Sequence, residues 1–160
     1  MAVCVFEKLK TLLESDTTLM AKIKKVYIHK LDFFYTIPDA LSPAIILNDG
    51  GEEFQDVDNT MAKLTKFKAK YKVHKVILNV IYKYALEEEI LIGDATEIGL
   101  VDLSHLVENT INSDKKLSST YIDMEYDGWE AFEITDPVDD KRIYSIGRRT
   151  NISYKKIEEK

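Results

Sequence analysis

The chain has 160 residues, 45% of them apolar and 31% charged, with a formal net charge of −6. That balance excludes extensive disorder and predicts a single domain over 1–160. The acidic surplus argues against a nucleic-acid grip, which needs clustered Lys and Arg. A lone cysteine, Cys4, leaves no internal disulfide to form. The sequence lacks a basic segment ahead of a long apolar run, so no secretory signal is expected. No window approaches the roughly 20 apolar residues of a membrane span, and the simplest setting is the cytoplasm.

In chain order, the spacing predicts a helix over 3–14, with Val5, Phe6, Leu9, Leu12 and Leu13 on one face. Ser15 or Asp16 is expected to cap a short second helix whose apolar face is Leu19, Met20 and Ile23. Val26-Tyr27-Ile28 favours strand, and 29–42, bearing Pro38, favours loop. Ala44–Leu47 predicts a short apolar strand ended by a turn at Asn48-Asp49-Gly50-Gly51, with an acidic segment after it. Residues 60–68 have weak helical spacing.

Tyr71–Tyr84 alternates as a strand. Val76, Leu78, Val80 and Tyr82 take one face and Ile77 and Ile81 the other, so it is expected at the centre of a sheet. Leu100 to Asn112 forms the cleanest amphipathic helix. Residues 121–134 and 142–157 predict two strands joined by a turn at 136–140, with a frayed tail after about 155.

Chemistry is hard to find. His29, His74 and His105 have no metal-binding spacing, and no nucleophile elbow or phosphate loop occurs. The acidic run near Asp49–Asp58 lacks the spacing of a calcium loop. Cys4, in an apolar helical context, is expected to be a buried, unreactive thiol. No enzyme activity, metal or cofactor is expected.

Tyr121, Tyr126, Trp129 and Phe132 share one strand-like run, broken at Asp127-Gly128. Core packing with a bulge at Gly128 is the plainer reading. The sharper one puts Tyr126, Trp129 and Phe132 at a subunit interface, where large rigid aromatics concentrate binding energy. Their acidic neighbours exclude a nucleic-acid stacking platform. Arg142, Arg148 and Arg149 are the only arginines. They are either ordinary exposed charges or partners of acidic groups on another subunit.

Several segments together resemble the tail-terminator (tail-completion) proteins of long-tailed bacteriophages. They are the helix VFEKLKTLLES, a brief helix ending in KIKKVY, the strand PAIIL, the strand VILNVIY, the helix DLSHLVENTI, and the closing pieces YDGWEAFEI and RIYSIGRRTNISY. The likeness spans residues 5–155, and related phage neck and head-completion proteins share much of it. It implies an α+β fold, a mixed and largely antiparallel sheet with helices on one face.

It also implies a homo-oligomeric ring, usually hexameric, that caps the tail tube and meets the head connector, with DNA passing through the lumen. The implied partners are the tail-tube protein and a head-completion or connector protein. The implied location is the tail–neck junction of the virion, after assembly in host cytoplasm. A different phage neck component, or a non-viral α+β binding module, is the alternative. The ring reading further expects Trp129→Ala to weaken assembly more than it destabilises the subunit.

Overall fold

The computed structural model describes residues 4–28, 43–56, 69–83, 99–135 and 143–159. The element order is α1 (Val5–Ser15), α2 (Thr17–Met20), β1 (Lys25–Ile28), β2 (Ala44–Asp56), β3 (Ala69–Lys83), α3 (Leu100–Ser113), β4 (Asp123–Tyr126), β5 (Glu130–Thr135) and β6 (Ile143–Glu159). The fold is α+β, as the hydrophobic pattern and the resemblance imply. The described strands form one mixed sheet, ordered β1-β2-β3-β6-β4, with β5 also pairing with β6. β1 runs parallel to β2 and every other pairing is antiparallel.

The helices cover one face of this sheet. In α1, Val5, Leu9 and Leu13 recur every four residues and are buried. In α3, Leu100, Leu103, Val107 and Ile111, spaced by three or four residues, are buried too. Beneath them lie Ile45 and Leu47 of β2, Val76, Leu78, Val80 and Tyr82 of β3, and Ile152 and Tyr154 of β6. Each fully buried Leu or Ile in this layer contributes on the order of 1.5–3 kcal/mol. Asp16 ties the small helices down. Its carboxylate caps α2 by accepting from the Leu19 amide at 3.1 Å and also accepts from Thr110 Oγ1 of α3 at 2.6 Å.

β3 is the central strand, as its alternation predicts. Ile81 and Asn79 on its second face are also fully buried, beside Ala44 and Ile46 of β2. The side-chain nitrogen of the buried Asn79 donates to the Ile46 carbonyl and to Asn48 Oδ1, while its Oδ1 has no hydrogen-bond partner among the described residues.

Three expectations change. Asn48–Gly51 is not a turn between strands: β2 continues through it to Asp56, and the register with β3 shifts between Asp49 and Gly51. Gly51 takes φ 95° and its amide donates to Asp49 Oδ1 at 2.8 Å. A bulge needs the same positive φ as a hairpin turn, so the same residues encode both. The stretch 121–134 is two strands rather than one. The tail does not fray at 155, because β6 stays paired with β3 out to Ala69↔Glu159. The predicted loop 29–42, the weak helix 60–68 and the turn 136–140 lie outside the described residues.

Candidate subunit-interface site

The aromatic run sits at one edge of the sheet. From Tyr126↔Ile152 to Glu130↔Arg149, the β4–β5 lane advances four residues while β6 advances three. That is a one-residue bulge, at the place predicted around Gly128. It is held by the Asp127 amide donating to the Asn151 carbonyl at 3.1 Å and by Thr150 Oγ1 donating to the Asp127 carbonyl at 2.6 Å. The bulge re-aims Trp129 towards the helix layer.

There Trp129 Nε1 donates to Glu108 Oε1 of α3, and the Arg148 guanidinium lies 5.8 Å from its ring centroid. Tyr126, on the same face, accepts a hydrogen bond from Asn112 of α3 at 3.3 Å. Both rings are partly buried against the core.

Phe132 and Arg149 belong to the opposite face. Phe132 faces Gly147 across the ladder. A Cβ at Gly147 would meet Phe132 Cζ at 2.7 Å and the Val80 carbonyl oxygen at 2.6 Å, so only glycine lets the ring close down there. Arg149 stacks on that ring at 4.4 Å. Nη1 of Arg148 and Nε of Arg149 are buried with no hydrogen-bond partner among the described residues.

Sequence reading therefore grouped residues that the sheet separates. Tyr126 and Trp129 fasten the edge to α3, with Arg148 of β6 beside the indole. Phe132 and Arg149 form a second aromatic–guanidinium pair on the helix-free face. Arg142 lies outside the described residues. The parity of β6 was the available signal, since 148 and 149 must point to opposite faces of any strand.

A second cluster escaped sequence reading. His74 of β3 pairs through Nδ1 with Glu52 Oε1 of β2 at 3.2 Å, and its ring meets Tyr121 edge-on at 6.1 Å. Tyr121 in turn lies 5.3 Å from Tyr154, His74's cross-strand neighbour. Burial holds His74 below its ordinary pKa of 6.5, with the Glu52 carboxylate opposing. Burial pushes both tyrosines up, Tyr154 strongly. The phenols stay protonated near neutrality and supply no phenolate nucleophile. The buried Tyr154 hydroxyl and His74 Nε2 have no hydrogen-bond partner among the described residues.

Cys4 is exposed, not buried as expected, because it stands at the N-cap of α1 ahead of the buried face. His105 is exposed on α3. Among the described residues no group of three or more His, Cys, Asp or Glu is placed to hold a metal, and no helix is long and apolar enough to cross a membrane.

No family model matches the chain, and no curated protein sequence does. Among solved structures, a chain described as "Virion of native gene transfer agent (GTA) particle" is similar at 12% identity and a TM-score of 0.44, over 94% of each chain. The functional reading rests on this chain's own sequence segments and sheet edges.

Proposed function

We propose that this protein is a structural, non-enzymatic component of a phage-type virion. In this reading it assembles as a ring at the top of a tail, ends tail-tube growth and presents a surface to the head connector. DNA only passes through its lumen, and neither cofactor nor metal takes part.

The observation that carries the reading is the sheet's pair of unlike open edges. Among the described residues, nothing pairs with the outer side of β1 or with the outer side of β4 and β5. A subunit with two different joinable edges suits head-to-tail contacts, which close into rings when the rotation allows. Joining them also satisfies edge N–H and C=O groups that otherwise invite uncontrolled pairing. The sequence resemblance supports the same reading: its seven segments fall in chain order on α1, the lead into β1, the start of β2, the middle of β3, α3, β4–β5 and β6.

The test is to image the purified protein by negative stain, weigh it by light scattering, and add it to polymerising tail-tube protein. Rings with a central hole that stop tube growth are expected. Protein that stays monomeric at every concentration, even beside assembled tubes, overturns the proposal. Rings that bind a portal complex and ignore tubes would move it to another level of the neck.

A further inference from the structure

At the level of β1 and β5 the two open edges carry opposite charge. On the β1 side, Lys22, Lys24 and Lys25 are all exposed. On the β5 side, Glu130 and Glu133 are exposed, and among the described residues no ion pair reaches either of them. Like edges therefore repel, and unlike edges attract.

Strand direction is also suitable. β2 runs parallel to β1, β3 is reversed, β6 is reversed again, and β5 opposes β6. β5 is thus antiparallel to β1 within one subunit. A rotation about an axis along the strands preserves each direction, so β1 of one copy meets β5 of the next in antiparallel fashion.

The registers then fix the level at which they meet. Lys25 is level with Ala44, Ala44 with Ile81, Ile81 with Gly147, and Gly147 with Phe132. Without a shift along the axis, Lys25 of the next copy lies opposite Phe132 and diagonal to Glu130, and Lys24 lies opposite Glu133. At the other end of the sheet, Asp49, Glu52 and Glu53 of β2 lie past the end of β1, near the level of Asp123 and Glu125 of β4, with Glu52 ion-paired to Lys72 and Glu53 to Lys75 of β3.

We propose that successive copies of this chain join by antiparallel pairing of the β1 edge with the β5 edge, with Lys24 and Lys25 set against Glu133 and Glu130. The β2 and β4 stretches carry carboxylates and no lysine, so they offer no such charge pairing and the junction is confined to this level. This inference rests on the ring reading, in that the partner is a second copy.

The experiment is charge reversal on the full chain, read by light scattering across a concentration series, with circular dichroism and a melting curve on each variant. Lys24→Glu/Lys25→Glu is expected to raise the half-assembly concentration about tenfold or more, and so is Glu130→Lys/Glu133→Lys. Combining all four substitutions in one chain restores assembly, as does mixing the two variants. Asp123→Lys/Glu125→Lys does not weaken assembly.

A charge-independent measurement stands beside it. In a Cys4→Ser background, Lys24→Cys copies mixed with Glu133→Cys copies should cross-link on mild oxidation into disulfide-bonded pairs. Assembling wild-type protein with unmoved reversal variants, no rescue by the swap, or no cross-link overturns this junction and leaves the ring reading standing. Wild-type protein that never assembles overturns both.

Discussion

Trp129 shows how one hydrogen bond changes the meaning of a residue. An aromatic on an acidic edge strand suggests a binding surface. The bulge at 127–129 turns the indole inward, onto Glu108 and Arg148. The expectation that Trp129→Ala damages assembly more than the subunit is accordingly replaced. Trp129→Ala is predicted to destabilise the monomer by about 2–3 kcal/mol, through lost packing and an orphaned Glu108 carboxylate. Trp129→Phe keeps the packing and should lose about 1 kcal/mol, the hydrogen-bond part alone. Urea unfolding of both variants under monomeric conditions measures this; no loss in Trp129→Phe would mean that the Glu108 contact contributes nothing.

His74 is the second residue whose role is set by its neighbours. It is flanked by Glu52, Tyr121 and Tyr154, with Lys72, Lys156 and Asp49 acting at longer range. Its folded pKa lies below the unfolded value, so the fold favours the neutral imidazole. That stability is fully present above about pH 6.5 and is lost as pH falls towards the folded pKa. The melting temperature is predicted to drop between pH 7 and pH 5, and His74→Gln to flatten that slope. A titration of the histidine ring protons by NMR supplies the direct check.

At the scale of elements, α2 has only four residues and is too short to stand alone. Asp16 holds it by capping Leu19 and receiving the Thr110 hydroxyl, and the Thr110 bond is the main cause that keeps the Asp16 carboxyl below its ordinary range. Asp16→Ala is predicted to cost about 1–2 kcal/mol and Thr110→Val about 1 kcal/mol. A double-mutant cycle should give less than the sum, because both changes break one shared bond. Strict additivity would mean that the two side chains do not act together.

The β2 bulge belongs to this scale too. Asn-Asp-Gly-Gly is strong turn chemistry, and the glycine at positive φ that it calls for is Gly51, whose amide donates to Asp49 Oδ1. Whether the chain reverses or merely gains a residue there depends on the length of the neighbouring strand. β3 is long enough to pair on both sides of the bulge.

At the scale of the molecule, the sheet has a helix-covered face and two open edges, lysine-bearing beside β1 and glutamate-bearing at β5. If copies join through exposed lysines and glutamates, the junction is screened by salt. Raising ionic strength from low to about 0.5 M is predicted to shift assembly towards monomer while leaving the monomer's urea midpoint nearly unchanged. Sedimentation velocity across a salt series reads the first, and assembly that strengthens with salt would point to an apolar junction instead.

Hydrophobic periodicity by itself determined α1, β3, α3 and the α+β class. The spacing of Leu9 and Leu13, or of Val76, Leu78 and Val80, can bury one face in only one kind of element. The bulge near Gly128 was legible as well, because a glycine interrupting an aromatic strand is a local signal. Tertiary structure decided that β1 lies parallel to β2, that β6 pairs with β3 out to Glu159, and which of Arg148 and Arg149 faces the helix layer. It alone brought His74, Tyr121 and Tyr154 together and set lysines and glutamates on opposite edges. Periodicity encodes which face is buried. Which strand lies beside which is fixed only when every segment competes for the same few ladder positions.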